Sequence, residues 1–178
     1  LSADPDVNVL LLEAGGPDRS PLIHMPAGFT KLTGPEVNWG FETVPQPEMN
    51  DRTMHYPQGR TLGGSTSINA MIYIRGNRLD YDHWAELGNR GWSYDEVLPY
   101  FRRSEEQARG ANEYHGSEGP LHISDPTYVN PLTHSFLAAC QEVGIAPNPD
   151  FNGEKQEGSG IFQRTIRNGR RHSVATAF

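Results

Sequence analysis

Hydrophobic residues near the start of the chain are concentrated in the segment Val7–Leu12, which contains one polar residue, Asn8, and ends at Glu13. A short apolar run without polar alternation is typical of a strand that is buried on both faces of a parallel sheet. Residues 14–17 follow at once with the sequence Ala-Gly-Gly-Pro and predict a turn. We therefore expect a buried strand that ends in an acidic side chain. If the neighbouring upstream strand is missing, we expect the same run to expose apolar surface.

Helical periodicity is confined to the part of the chain after residue 78. Three helices are predicted, from apolar spacing over 79–87, a capping box at 93–96, and an Asn-Pro start at 130–131 that is closed by a glycine at 144. The third helix presents one apolar stripe, which consists of Leu132, Phe136, Cys140 and Val143. Such a stripe predicts a face that packs on a core.

Short strands are predicted on both sides of these helices. The candidates lie at 40–45, 53–57, 121–124 and 160–166, with an Asn-Gly turn at 168–169 and a helix cap at Ser173. Residues 17–60 are rich in proline and otherwise predict irregular structure. The pattern as a whole indicates short elements joined by long loops.

Composition and charge narrow the class of protein. The chain has 178 residues with 19 glycines and 14 prolines, which indicates a globular protein rich in turns. A formal charge of −7 argues against nucleic acid as the main partner, because nucleic-acid binding relies on a basic surface. Cys140 is the one cysteine, which excludes an internal disulfide, and the seven histidines lack the spacing of a metal site. No apolar run is long enough for a transmembrane helix.

Two short motifs have the chemistry to contact a dinucleotide. A carboxylate at the end of a parallel strand, as at Glu13, can accept hydrogen bonds from a ribose diol, although it can equally be a solvated strand end. The paired glycines of 63–66 (Gly-Gly-Ser-Thr) let the backbone approach a pyrophosphate, although such a turn is also an ordinary one capped by serine. No G-x-G-x-x-G motif occurs in the chain.

The segment 59–82, GRTLGGSTSINAMIYIRGNRLDYD, resembles the first signature of the glucose–methanol–choline (GMC) flavoprotein oxidoreductases position for position. Other segments resemble the same family in the family's order, among them NWGFETVPQ, NRGWSYDEVLPYFRRSE and YHGSEGPLHIS. The resemblance covers essentially the whole chain. Within the family, the sequence is most similar to bacterial choline dehydrogenases and aliphatic alcohol dehydrogenases.

The resemblance implies an α/β fold: part of an FAD-binding Rossmann-like domain, without its first strand and glycine loop, joined to the start of an α+β substrate domain. The implied regions are a partial FAD-binding domain (1–75), a helical segment that covers FAD (76–115), the start of the substrate-binding domain (116–168) and a return toward the FAD domain (169–178). Because the family's glycine loop precedes residue 1 and its catalytic histidine follows residue 178, we expect a fragment that contains no catalytic residue.

The resemblance also implies which residues contact FAD. The candidates are Glu13 and Ala14 at the ribose, Trp39 beside the cofactor, Gly63, Gly64 and Ser65 at the pyrophosphate, and Asn69, Ala70, Met71 and Ile72 along the ribityl chain and the isoalloxazine ring. Some family members attach FAD covalently through a histidine just before the position of Asn69. Ile68 stands there in this chain, so we expect FAD to be bound noncovalently.

The activity implied by the resemblance is oxidation of a primary alcohol, aliphatic or choline-like, to an aldehyde by hydride transfer to flavin N5. The electron acceptor is left open, and we expect a cytoplasmic protein, with peripheral association with the inner membrane also open. Three alternatives stand beside this hypothesis: an inactive remnant or binding fragment, a hydroxynitrile lyase and an alcohol oxidase of the same fold. Fold-level analogy does not choose among them.

Overall fold

The computed structural model describes residues 4–178, and these fall into two units that meet in sequence at Asn69 and Ala70. The first predicted boundary, after residue 75, lies inside the second unit, and the four predicted functional regions stay a prediction. Residues 1–3, with which the first predicted region begins, lie outside the described residues.

Two short helices and the loops after them build the core of the first unit. Helix α1 (Pro21–His24) and a 3-10 helix (Pro26–Lys31) both begin at a proline, whose fixed φ suits the first helical position. The core consists of Ile23, Leu32, Val37 and Ile68, with Leu22 packed against it. Gly28 allows the close approach, because a Cβ on it would overlap the carbonyl of Leu22.

A small antiparallel sheet follows in the first unit, and its two short strands lie within the predicted strand segments 40–45 and 53–57. Strand β1 (Phe41–Glu42) pairs with β2 (His55–Tyr56), and a 3-10 turn (Pro47–Met49) lies in the connection between them. A further 3-10 turn, Gly64–Ser67, immediately precedes the end of the unit.

The apolar run Val7–Leu12 does not form a buried strand. Leu10, Leu11 and Leu12 are 81%, 76% and 83% exposed, and within residues 4–69 no strand pairs with the run. The prediction of burial on both faces is therefore wrong for this chain, because no neighbouring strands cover the run. The prediction of an exposed apolar surface is confirmed.

Two predicted helices open the second unit. Helix α2 (Arg78–Glu86) begins at Asn77, whose side-chain oxygen accepts a hydrogen bond from the Leu79 N–H at 2.9 Å. Helix α3 (Tyr94–Ser104) begins at Ser93, whose N–H and hydroxyl both donate to the Glu96 carboxylate, at 3.1 and 2.6 Å. The predicted capping box is thus confirmed.

The remaining elements of the second unit are short. They are β3 (Glu105–Gln107), β4 (Leu121–Ile123), α4 (Pro131–Glu142), β5 (Ile166–Arg167), β6 (Arg170–Arg171) and α5 (Val174–Ala177). Strands β3 and β4 are parallel, whereas β5 and β6 form a hairpin. Its turn residues Asn168 and Gly169 are left-handed, with φ of 52° and 73°, as the Asn-Gly sequence predicts.

Two predictions for the second unit need correction. The stripe of α4 is exposed except at Cys140, with Leu132 75%, Phe136 66% and Val143 75% exposed. The segment 160–166 is a strand only from Ile166 onward, since before that residue it makes isolated bridges at Arg164. One bridge joins Arg164 to Ile72, which is one of the candidate FAD contacts, and the other joins Arg164 to Ser124.

Candidate functional site

The turn after Glu13 packs against a second loop of the first unit. The Glu13 carboxylate is exposed and accepts a hydrogen bond from the Gly15 N–H at 2.7 Å, which fixes its orientation. A Cβ on Gly15 would overlap the carbonyl of Arg60, so only glycine fits this contact. The Gly16 carbonyl accepts hydrogen bonds from the Leu62 N–H and the Thr61 hydroxyl, both at 2.9 Å.

The segment around Trp39 lies on the other side of that loop. The Trp39 N–H donates to the Gln58 carbonyl at 2.9 Å, and the Arg60 N–H donates to the Val37 carbonyl at 2.7 Å. The indole is 47% exposed, is stacked on Phe41 with a centroid separation of 5.8 Å, and carries the Arg60 guanidinium 5.3 Å above its ring. Backbone hydrogen bonds and ring contacts therefore position Trp39, and about half of the residue is exposed.

The paired glycines close the loop. Gly63 and Gly64 are left-handed, with φ of 85° and 54°, and a Cβ on Gly64 would meet no atom within 4 Å. The Ser65 hydroxyl accepts from the Gly59 N–H at 3.0 Å and donates to the Gln58 side chain at 3.2 Å. Ser65 thus stabilises the loop itself, as an ordinary turn serine does, while the space beside Gly64 stays open.

Backbone hydrogen bonds therefore bring three of the predicted groups together within the first unit: the Glu13 turn, the Trp39 segment and the paired glycines. Ala14 is exposed next to Glu13, and Asn69 is exposed with its N–H on the Ser65 carbonyl at 2.9 Å. An oriented, solvent-facing carboxylate suits a ribose diol, and an open glycine suits the close approach of a phosphate group. These residues fit the adenosine and pyrophosphate parts of FAD.

The other candidates, Ala70, Met71 and Ile72, belong to the second unit and lie in an extended segment. Met71 is 3% exposed and left-handed, with φ of 59°, which is strained for a residue with a side chain. Its carbonyl accepts from the Thr165 N–H at 2.9 Å. Ile72 pairs with Arg164 and is 42% exposed, so this segment offers one open apolar side chain beside a fixed backbone.

A buried ion-pair network lies in the same unit and was not predicted from the sequence. His115 is 3% exposed, with Nδ1 2.7 Å from Glu105 Oε1 and Nε2 2.8 Å from Asp150 Oδ2. Arg75 Nη2 lies 2.9 Å from Glu105 Oε2, as an ion pair without hydrogen-bond alignment, and Arg75 Nη1 donates to the Tyr114 carbonyl at 2.9 Å. Two cations and two carboxylates thus neutralise one another; Arg75, Glu105 and His115 are buried, and the Asp150 side chain is 27% exposed.

The charges of the network are mutually dependent. Burial penalises the imidazolium, but hydrogen bonds to Asp150 and Glu105 outweigh it and raise the pKa of His115 to about 9. Burial likewise penalises the carboxylates, but His115 together with Arg75 holds the pKa of Glu105 below its usual value, and His115 together with the Asn152 N–H does the same for Asp150. At neutral pH, His115 is therefore a doubly protonated cation that donates from both ring nitrogens.

Comparisons with known proteins decide the family. The family model described as GMC oxidoreductase matches residues 13–178. The chain belongs to the GMC oxidoreductase family. It is 48% identical to the "oxygen-dependent choline dehydrogenase" of Brucella anthropi and 43% identical to that of Rhizobium etli, in each case over the whole chain and 33% of the relative. The chain thus spans about a third of the length of the curated relatives it matches.

Solved structures of this family superpose on the chain. Pyridoxine 4-oxidase from Mesorbium loti matches with a TM-score of 0.94 and 37% identity, over 99% of this chain and 35% of that one. An FAD-dependent oxidoreductase from Chaetomium thermophilum matches with a TM-score of 0.89 and 33% identity, over 99% and 32%. These matches confirm the predicted fold class. The predicted cofactor, FAD, is confirmed for the family, whereas the individual contacts stay predictions.

In residues 4–178, no helix combines the length and the apolar character that are needed to cross a bilayer.

Proposed function

We propose that the chain forms part of the FAD site of an alcohol oxidoreductase that converts a primary alcohol, choline-like or aliphatic, to an aldehyde. The observation that carries the proposal is the exposed Glu13 carboxylate, oriented by the Gly15 N–H and joined through the turn 13–16 to the loop of the paired glycines. The names of the relatives support the substrate class. When bound, FAD supplies the acceptor for a hydride from the alcohol carbon.

The residues of this chain bind and orient the cofactor in our proposal. Glu13 accepts hydrogen bonds from the adenosine ribose, with Ala14 beside it, and the half-exposed Trp39 lies beside the cofactor. Gly63 and Gly64, with Ser65 holding their loop closed, leave room for the pyrophosphate. Asn69, Ala70, Met71 and Ile72 are the candidates for the ribityl chain and the isoalloxazine ring. The base that removes the alcohol proton is proposed to lie outside residues 1–178.

Binding of FAD is tested with the substitution Glu13→Gln. The substitution is made in the longest natural protein that contains this sequence, called the natural chain below. We expect the Kd for FAD, measured by flavin fluorescence, to rise about tenfold, because a charge-assisted hydrogen bond is replaced by a neutral one. Glu48→Gln, an exposed glutamate of the same unit, is the matched control and leaves the Kd within twofold. An unchanged Kd in Glu13→Gln would contradict the role of Glu13.

The reaction is tested separately, by adding choline or a straight-chain primary alcohol to the yellow protein without oxygen. Loss of the flavin absorbance supports alcohol oxidation, and an unchanged absorbance with both alcohols contradicts it. An oxidase is the second candidate, because solved relatives include pyridoxine 4-oxidase and formate oxidase. Release of hydrogen peroxide when oxygen is admitted distinguishes an oxidase from a dehydrogenase that needs another acceptor.

Noncovalent attachment is the last part of the proposal. Ile68, at the position of covalent attachment in some relatives, is an aliphatic side chain that belongs to the core of the first unit. It offers no nucleophile to the flavin. We expect all of the FAD to appear in the supernatant after acid precipitation, and flavin that stays with the pellet would contradict this expectation.

A further inference from the structure

We propose that Asn152 is a positioning residue for the flavin: it fixes the backbone of Tyr73 and Arg75, and through them the candidate flavin contacts Ala70–Ile72. This inference rests on the proposed FAD site. The residue that it adds to the site lies eighty positions after Ile72, in a loop with no recognised cofactor motif.

Asn152 acts on the segment through its amide group. Its Oδ1 accepts a hydrogen bond from the Arg75 N–H at 2.7 Å, and its Nδ2 donates to the Tyr73 carbonyl at 3.2 Å. Asn152 is buried, with 5% of the residue exposed. The Asn152 amide therefore binds this backbone as a neighbouring strand would, because it satisfies one backbone donor and one backbone acceptor.

The same segment is fixed on the side of residues 163–165. The Tyr73 N–H donates to the Gln163 carbonyl at 3.0 Å, and the Thr165 N–H donates to the Met71 carbonyl at 2.9 Å. Asn152 continues this line of hydrogen bonds where the pairing with residues 163–165 stops. The backbone from Met71 to Arg75 is consequently held at every second residue.

Asn152 is itself held by the buried ion pairs. Its N–H donates to Asp150 Oδ1 at 3.0 Å, while Asp150 Oδ2 binds His115, which in turn binds Glu105. Glu105 contacts the Arg75 guanidinium and so returns to the residue whose backbone Asn152 binds. These contacts form a closed ring of hydrogen bonds and ion pairs, in which Arg75, Glu105, His115 and Asn152 are buried and Asp150 is partly exposed, so the position of each member depends on its neighbours.

Such rigidity has a direct consequence for a cofactor that contacts Ala70–Ile72. Groups that contact a reactive ring must be held to within a fraction of an ångström, and their supporting residues provide that precision. Loss of the Asn152 amide removes the partner of the Tyr73 carbonyl and of the Arg75 N–H, which lie one and three residues after Ile72. The flavin environment should therefore change although Asn152 itself is not among the candidate FAD contacts.

The test compares Asn152→Leu with Asn130→Leu in the longest natural chain, loaded with FAD. Leucine is similar in size to asparagine but cannot bind the backbone. Asn130 undergoes the same substitution and loses its cap bond to the Leu132 N–H, yet it has no contact with residues 70–75 among those of the described chain. We expect Asn152→Leu to raise the Kd for FAD about tenfold and to shift the visible flavin spectrum. In Asn130→Leu the Kd for FAD should stay within twofold and the flavin spectrum should not shift.

A second variant keeps the proposal testable if Asn152→Leu does not fold. Asn152→Ala removes the same amide without adding bulk or charge, so it should shift the spectrum in the same direction. A natural protein that binds no FAD overturns the proposed function and this inference with it. A protein that binds FAD normally, with the Kd and spectrum unchanged in the Asn152 variants that fold, overturns the positioning role alone.

Discussion

The two units fix their candidate FAD residues by different means. In the first unit, backbone hydrogen bonds and close glycine contacts hold the turn after Glu13 against the loop 58–65. In the second unit, side chains hold the extended segment 70–75: Asn152 binds its backbone, and the ring through His115 anchors Asn152. The first kind of site relies mainly on backbone contacts and on glycine at points of close approach, whereas the second relies on buried polar side chains.

The largest effect is expected at His115. His115→Gln leaves Glu105 and Asp150 without their shared cation, and one-sided loss of a buried ion pair costs about 3–5 kcal/mol of the free energy of unfolding. Urea denaturation of the natural chain measures this value. His134→Gln, on the exposed surface of α4, is the control and should change the free energy by less than about 0.5 kcal/mol. Equal effects of the two substitutions would show that the network does not stabilise the second unit.

A glycine substitution tests the first unit in the same way. Gly15→Ala forces a Cβ against the Arg60 carbonyl, and overpacking of this kind costs about 1–3 kcal/mol. In Gly16→Ala the new Cβ meets nothing within 4 Å, so the neighbouring substitution is a matched control. Urea denaturation should separate the two variants clearly. A Gly16→Ala protein as unstable as Gly15→Ala would contradict the close packing of the two loops.

Alkaline pH weakens the network without a mutation. The pKa of His115 is raised from 6.5 to about 9 in the folded chain, so its stabilising contribution is complete below about pH 6.5 and is lost as the pH rises through about 9. We expect the melting temperature to fall between pH 7 and pH 10. In His115→Gln this alkaline decline should be much flatter, and an identical decline in both proteins would assign it to other groups.

The smallest expected effect is at Met71, which is left-handed in the structure. Met71→Gly and Met71→Ala both lose the buried side chain, but only glycine adopts positive φ without strain. We expect Met71→Gly to be more stable than Met71→Ala by about 1 kcal/mol, as judged by urea denaturation. The opposite order, usual where φ is negative, would contradict the left-handed backbone beside the candidate flavin contacts.

What the sequence predicts depends on whether the signal is local. Glycine pairs, caps and short strands have local signals, so strands β1 and β2, the capping box at Ser93 and the Asn168–Gly169 turn are found where they are expected. The ring through His115 joins residues 75, 105, 115, 150 and 152, whose spacing follows neither a helical nor a strand period. No local pattern distinguishes these residues from ordinary charged residues on a surface.

The wrong predictions of burial, for Val7–Leu12 and for the stripe of α4, also have a physical cause. Periodicity reports which face of an element is apolar, but not whether another element covers it. Val7–Leu12 and the stripe of α4 are both correctly apolar, yet both are exposed in this chain, which spans about a third of its relatives. Burial depends on residues distant in sequence, whereas helix and turn formation depends on neighbours.

Hydrogen exchange of the natural chain with and without FAD reports on both units at once. We expect FAD to slow exchange of the amides at residues 13–16 and 63–65 in the first unit and at 70–75 in the second, while amides of α4 are unaffected. FAD that binds but leaves exchange in all three segments unchanged would contradict the account.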